Sequence, residues 1–129
     1  MLVSFKKIYN KINLPTLKIK IKDKYYLFLV DTGSDVSYIN EDIIDNSFKE
    51  IGYTKFIDYT SNIRKIRMFD IPFSIGKKKF RGVFGENICC DSFETLEKEN
   101  KIKLSGIIGS KVMNDLNIVI NFDSMTISV

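Results

Sequence analysis

Apolar Leu17, Ile19 and Ile21 alternate with Lys18, Lys20 and Lys22, the period-two pattern of a strand with one face in a core and one in water. Lys22-Asp23-Lys24 predicts a tight turn. The run Tyr25–Val30 is short and rich in aromatic and branched residues, which predicts a central strand covered on both faces. It stops at Asp31-Thr32-Gly33-Ser34-Asp35, residues with turn chemistry. Strand character returns at Val36–Ile39, and Asn40 followed by Glu41 and Asp42 predicts a short helix or helical turn. Two hairpins are expected next, Thr54–Thr60 with Ile63–Phe69 and then Asp70–Ile75 with Lys78–Phe84. Pro72 assigns its strand to an edge or a start. Residues 91–103 are the most polar stretch, with Thr95–Asn100 suited to a helical turn or a loop. After the apolar run to Ile107-Ile108-Gly109, Ser110–Asn117 reads as a short amphipathic helix. Ile118–Phe122 and Met125–Val129 predict a closing hairpin. With neither repeats nor a low-complexity linker, residues 1–129 are expected to form one domain.

Composition changes this picture mainly by exclusion. The chain has 129 residues, 44% of them hydrophobic and 28% charged, enough for one core and not for two. The net charge of +4 comes from lysines scattered along strands and turns, which argues for solvated edges and against a nucleic-acid groove. No apolar run approaches the roughly 20 residues that span a bilayer, and the basic start lacks a leader-like apolar region, so a cytoplasmic protein with no membrane partner is expected. Cys89 and Cys90 are neighbours, and a disulfide between adjacent residues is strained, so two reduced strand residues are expected. The absence of histidine excludes a His-based triad. Without histidine or metal-like cysteine spacing, no metal and no cofactor are expected.

A carboxylate that closes an apolar strand is costly to place unless its charge has a use, which singles out Asp31. Gly33 permits a sharp turn, and Thr32 and Ser34 bring hydroxyls that hold neighbours in place. An Asp-Thr-Gly triplet arises by chance in roughly a few per cent of chains of this length. A hairpin turn whose Asp bonds nearby backbone N–H groups is therefore the competing reading.

The late order of apolar-apolar-Gly, short helix, apolar strand, turn and closing strand adds a second element able to pack against the Asp31 loop. Together with the strand running into Asp-Thr-Gly-Ser and a hairpin in mid-chain, the sequence resembles the retropepsin-like aspartic peptidases over roughly residues 14–129. The resemblance implies an all-β, closed-barrel subunit with one short C-terminal helix and an active site at a homodimer interface. It implies an aspartic endopeptidase acting on a peptide or polyprotein, with Asp31 catalytic and Thr32, Gly33 and Ser34 in the active-site loop. Gly33 and Asp35, with a flap tip at Tyr59, Thr60, Ser61 and Asn62, would contact substrate. Chain ends in this family interleave across the two-fold axis. The Ser34 hydroxyl is expected to donate to the Asp31 carboxylate and shift its titration downward.

Two departures stand out. Ser110-Lys111 follows Gly109 where the family often has Arg-Asp or Arg-Asn, so Asp35 would need Lys111 or another base as its partner. The flap tip also has no glycine. The alternative function is a catalytically silent dimeric peptide-binding or scaffold module of the same fold. A nucleic-acid-associated module is compatible with the basic pI of about 9.0, although no nucleic-acid partner is expected.

Overall fold

A computed structural model describes residues 1–57, 60–87 and 91–129. Tyr59, Cys89 and Cys90 lie outside the described residues. In chain order the elements are β1 (Leu2–Ser4), α1 (Lys6–Ile12), β2 (Thr16–Ile21), β3 (Lys24–Val30) and β4 (Ser37–Asn40), followed by a 3-10 turn at Glu41–Ile43. β5 (Lys49–Ile57), β6 (Ile63–Ile75) and β7 (Lys78–Asn87) come next, then α2 (Asp91–Asn100), β8 (Gly106–Ile108), α3 (Ser110–Asp115), β9 (Val119–Asn121) and β10 (Thr126–Ser128).

The strands β2-β3-β8-β4-β7-β6 lie side by side, and a pairing of Lys20 with Ser74 joins β2 back to β6, so they close into a barrel. Strand alternation fills it. Leu17, Ile19 and Ile21 of β2, Phe28 and Val30 of β3, and Phe69, Ile71, Phe73 and Ile75 of β6 are buried in one apolar core with Phe84 and Ile108. Lys18 and Lys20 face outward as the alternation predicts.

The two expected hairpins share one strand. β6 runs without a break through Asp70, which pairs with Lys49 on one side and Val83 on the other. Its inward residues keep period two across that point, so no turn interrupts it. Pro72 lies past the last pairing with β5, where the missing N–H costs no β5 hydrogen bond.

β3 is covered on both faces only in its second half. Phe28 and Val30 enter the barrel, whereas Leu27 and Leu29 pack outside it against a second cluster of Ile12, Phe93, Ile102 and Leu104. Tyr25 is exposed.

The expected short C-terminal helix is present, and two further helices accompany it. α3 is found at Ser110–Asp115, and α1 and α2 are added outside the barrel. Ile8 and Ile12 of α1 and Phe93 and Leu96 of α2 share the second cluster, which gives both helices an apolar surface to cover. Asn13, in the left-handed region with φ 57°, ends α1 by donating its N–H to the Tyr9 carbonyl.

Within the single chain the two ends pair with each other. β10 pairs with β1 on one edge and with β9 on the other, within one chain. Ile127 is fully buried in the barrel core, and Phe5, Tyr9 and Phe122 stack edge to face over this small sheet. Both edges of β10 are thus taken inside the subunit. Interleaving with a second copy would require one of these pairings to open.

Candidate active site

β3 and β8 run parallel in register, with Leu29 opposite Ile107 and Val30 opposite Ile108. Parallel neighbours finish at the same end of the sheet, so the residues that follow them, Asp31 and Gly109, emerge side by side. Asp31 donates its N–H to the Ile108 carbonyl at 3.0 Å. Its own carbonyl accepts the Ser34 N–H at 3.2 Å, which closes the turn. The half-buried Asp31 carboxylate accepts the Gly33 N–H on Oδ1 at 2.9 Å.

Three further hydrogen bonds fasten this turn to the start of α3. Ser110 N–H donates to the Ser34 carbonyl at 2.7 Å and Lys111 N–H to the Asp35 carbonyl at 3.3 Å. The Gly109 N–H donates to the buried Ser37 hydroxyl at 2.8 Å. The approach is close because Gly106 and Gly109 carry no side chains. A Cβ on Gly109 would lie 2.5 Å from the Val36 carbonyl oxygen and 2.7 Å from that of Ser34. One on Gly106 would run into the Tyr38 carbonyl oxygen and the Phe28 ring. Thr32 and Gly33 are left exposed on the outer side of the turn.

Residues 11–121 match the model of the retroviral aspartyl protease family. The chain belongs to this family. A comparison with curated protein sequences gives no match. The matched range takes in the Asp31 turn, the β5–β6 hairpin and α3, and leaves out β1 and β10.

Within this retroviral-type protease domain two side chains are not where the sequence reading put them. The Ser34 hydroxyl donates to the Val36 carbonyl at 2.7 Å, a bond internal to the loop, instead of to the Asp31 carboxylate. The Lys111 ammonium pairs with Asp115 one helical turn on at 3.2 Å, because the i,i+4 spacing puts that carboxylate nearer than Asp35. Asp35 keeps only the Val36 N–H on Oδ1, and among the described residues it has no ion pair.

The hairpin expected to serve as a flap is formed by β5 and β6, with Thr60, Ser61 and Asn62 between the strands and Ser61 in the left-handed region at φ 64°. The Asn62 amide donates to the Thr60 hydroxyl at 3.0 Å. Below the tip, the Phe56 ring meets Tyr38 edge to face, with centroids 6.0 Å apart. That contact brings the flap stem onto the strand that follows the Asp31 loop. Burial, and secondarily the Asp35 carboxylate, push the Tyr38 hydroxyl above its ordinary pKa. Tyr53, Ile57 and Ile63 are exposed along the same hairpin.

An ion pair that the sequence reading missed holds the flap base. The Arg67 guanidinium of β6 grips Glu86 of β7, with Nη2 to Oε2 at 2.8 Å and Nε to Oε1 and Oε2 at 3.2 and 3.1 Å, and the Arg67 N–H also donates to Oε1 at 3.2 Å. Glu86 is buried, and chiefly the hydrogen bonds from the Arg67 side chain hold its carboxyl below the ordinary 4.5. A carboxyl whose folded value is depressed stabilises the fold above its unfolded value and loses that contribution as pH falls through the folded one. Glu86→Gln is therefore expected to cost about 2 kcal/mol at neutral pH. The gap from wild type should shrink as pH is lowered below the ordinary 4.5 and through the depressed folded value. Urea midpoints across that range check this, and a constant gap would show that the charge is not what holds the pair.

Proposed function

We propose that the chain is one half of an aspartic endopeptidase, with Asp31 as its catalytic carboxylate and a second copy supplying the other. The observation behind this reading is the Asp31 turn itself. Its carboxylate is oriented by the Gly33 N–H, its backbone is fastened to residues 108–111, and Thr32 and Gly33 are turned outward. The chain has one Asp-Thr-Gly, so a symmetric pairing that brings two such turns together is the simplest way to complete the site.

Two facing carboxylates cannot both ionise at close range, so they share one proton. The ionised member takes a proton from a water molecule, the protonated one gives its proton to the scissile carbonyl oxygen, and the water oxygen bonds to the carbonyl carbon. The carboxyl that took the water proton then gives it to the amide nitrogen, the other carboxylate takes back a proton from a diol hydroxyl, and collapse of the tetrahedral diol breaks the C–N bond and expels the amine. An extended peptide would run along Gly33 and Asp35, its backbone bonded to the loop and to the flap residues Thr60, Ser61 and Asn62. Flap closure over it excludes water.

A proteome-derived peptide library digested at several pH values, with products read by mass spectrometry, tests the activity. Cleavage is expected, with activity per chain falling on dilution. Sedimentation velocity over the same dilution series is the second arm: full activity per chain where the protein is monomeric would overturn the shared-aspartate site. An uncleaved library would overturn the peptidase.

A further inference from the structure

Beside the Asp31 loop lies a cavity of about 370 Å³ whose lining includes Asp35 and Val36 from the loop, Met68 from β6, Val83 from β7 and Val112 from α3. Its charged walls are largely neutralised internally. Arg81 is paired with Asp70 at 3.1 Å and Lys111 with Asp115 at 3.2 Å, which leaves Asp35 as the lining carboxylate without an ion pair among the described residues. Asp35 is exposed, and its Oδ1 accepts a single backbone N–H.

We infer that this cavity is an outer subsite that selects a basic side chain, Lys or Arg, on the peptide. The inference rests on the peptidase reading and names the substrate class that the site prefers. Val36, Met68, Val83 and Val112 offer apolar surface to an aliphatic stem, while Asp35 offers an acceptor to the cationic head. An acidic side chain would meet an unpaired carboxylate. A purely aliphatic one would gain the apolar contact and leave Asp35 as it is.

Position along the substrate follows from chain geometry. Asp35 is four residues beyond Asp31, within roughly 14 Å of it even if fully extended. An extended peptide advances about 3.3 Å per residue, so the side chain concerned lies within about four residues of the scissile bond. In a two-fold symmetric dimer the cavity occurs twice, so the preference should appear on both sides of the cut at similar distances.

The test is competitive cleavage of a peptide series that carries Arg, norleucine or Glu at each of these positions around one cleaved bond, with wild type, Asp35→Asn and Asp35→Lys. For wild type, kcat/KM is expected to favour Arg over norleucine by about fivefold on each side, with Glu last, and to lose much of that margin at high salt. The Arg-to-norleucine ratio should fall to about one in Asp35→Asn, and the order of Arg and Glu should invert in Asp35→Lys. Cleavage by wild type with no basic preference overturns the subsite while leaving the peptidase intact. So does a preference that both variants retain. If Asp35→Asn keeps the preference but raises the concentration at which sedimentation shows dimers, the carboxylate serves the subunit interface and the inference fails. Absence of cleavage with every peptide would overturn the peptidase reading and the subsite with it.

Discussion

Asp31→Asn is expected to lower peptide turnover by about 10³- to 10⁴-fold while leaving a folded protein. The amide is nearly isosteric with the carboxylate, and its oxygen can still accept the Gly33 N–H that orients Asp31 at 2.9 Å. The turn therefore survives. What disappears is the group that takes and returns the proton. Initial rates on a cleaved peptide, read beside circular dichroism and sedimentation, separate loss of chemistry from loss of structure. The shared site adds a sharper consequence: in a 1:1 mixture of wild type and variant reassembled at random, only about one dimer in four keeps both carboxylates. Inactive subunits should thus suppress active ones. A folded Asp31→Asn protein within tenfold of the wild-type rate would remove Asp31 from the mechanism. A mixture whose activity simply tracks the amount of wild-type chain would remove the shared dyad.

The second large effect is expected at Gly109, a residue that touches no substrate in the proposed mechanism. A methyl group there would sit 2.5 Å from the Val36 carbonyl oxygen and 2.7 Å from that of Ser34. Both are backbone atoms fixed by the loop, so no side chain can swing aside to make room. To fit the methyl, the Asp31 loop must move away from α3, which strains the bonds from Ser110 N–H to the Ser34 carbonyl and from Gly109 N–H to Ser37. Gly109→Ala should cost about 3 kcal/mol. Activity should fall further than stability, by about 100-fold at temperatures where the variant is still folded, because a displacement of about 1 Å at a catalytic group is enough for that. Urea unfolding and kcat/KM measured on the same preparation test both parts. Wild-type values for either would show that the loop tolerates separation from β8 and α3.

Much of the barrel was legible because alternation is a local property. Leu17, Ile19 and Ile21 declare an inward face whatever they pair with, and the apolar strand running into Asp31-Thr32-Gly33 and the late Ile107-Ile108-Gly109 could both be read from neighbouring residues. The closing hairpin and the short helix after Gly109 were legible for the same reason. The boundary placed between Phe69 and Asp70 was not correct, because a polar residue in the outward phase of a long strand looks in sequence like the start of a turn.

What only the tertiary structure decided depends on groups far apart in the chain. Arg67 and Glu86 are 19 residues apart and meet because β6 and β7 pair in one register. The preference of Lys111 for Asp115 over Asp35, and of Ser34 for Val36 over Asp31, is a choice among several acceptors within reach, which residue type alone cannot rank. α1 and α2 are short or strongly polar segments whose apolar positions become meaningful only once Leu27, Leu29 and Ile107 present a surface outside the barrel. The sequence by itself determined which strand ends in the carboxylate and which glycine must come close to it, because backbone sterics and strand alternation act locally. The closure of the barrel, the pairing of the chain ends within one subunit and the lack, among the described residues, of an ion pair at Asp35 were decided by competition among distant partners, which is settled only when the whole chain is packed.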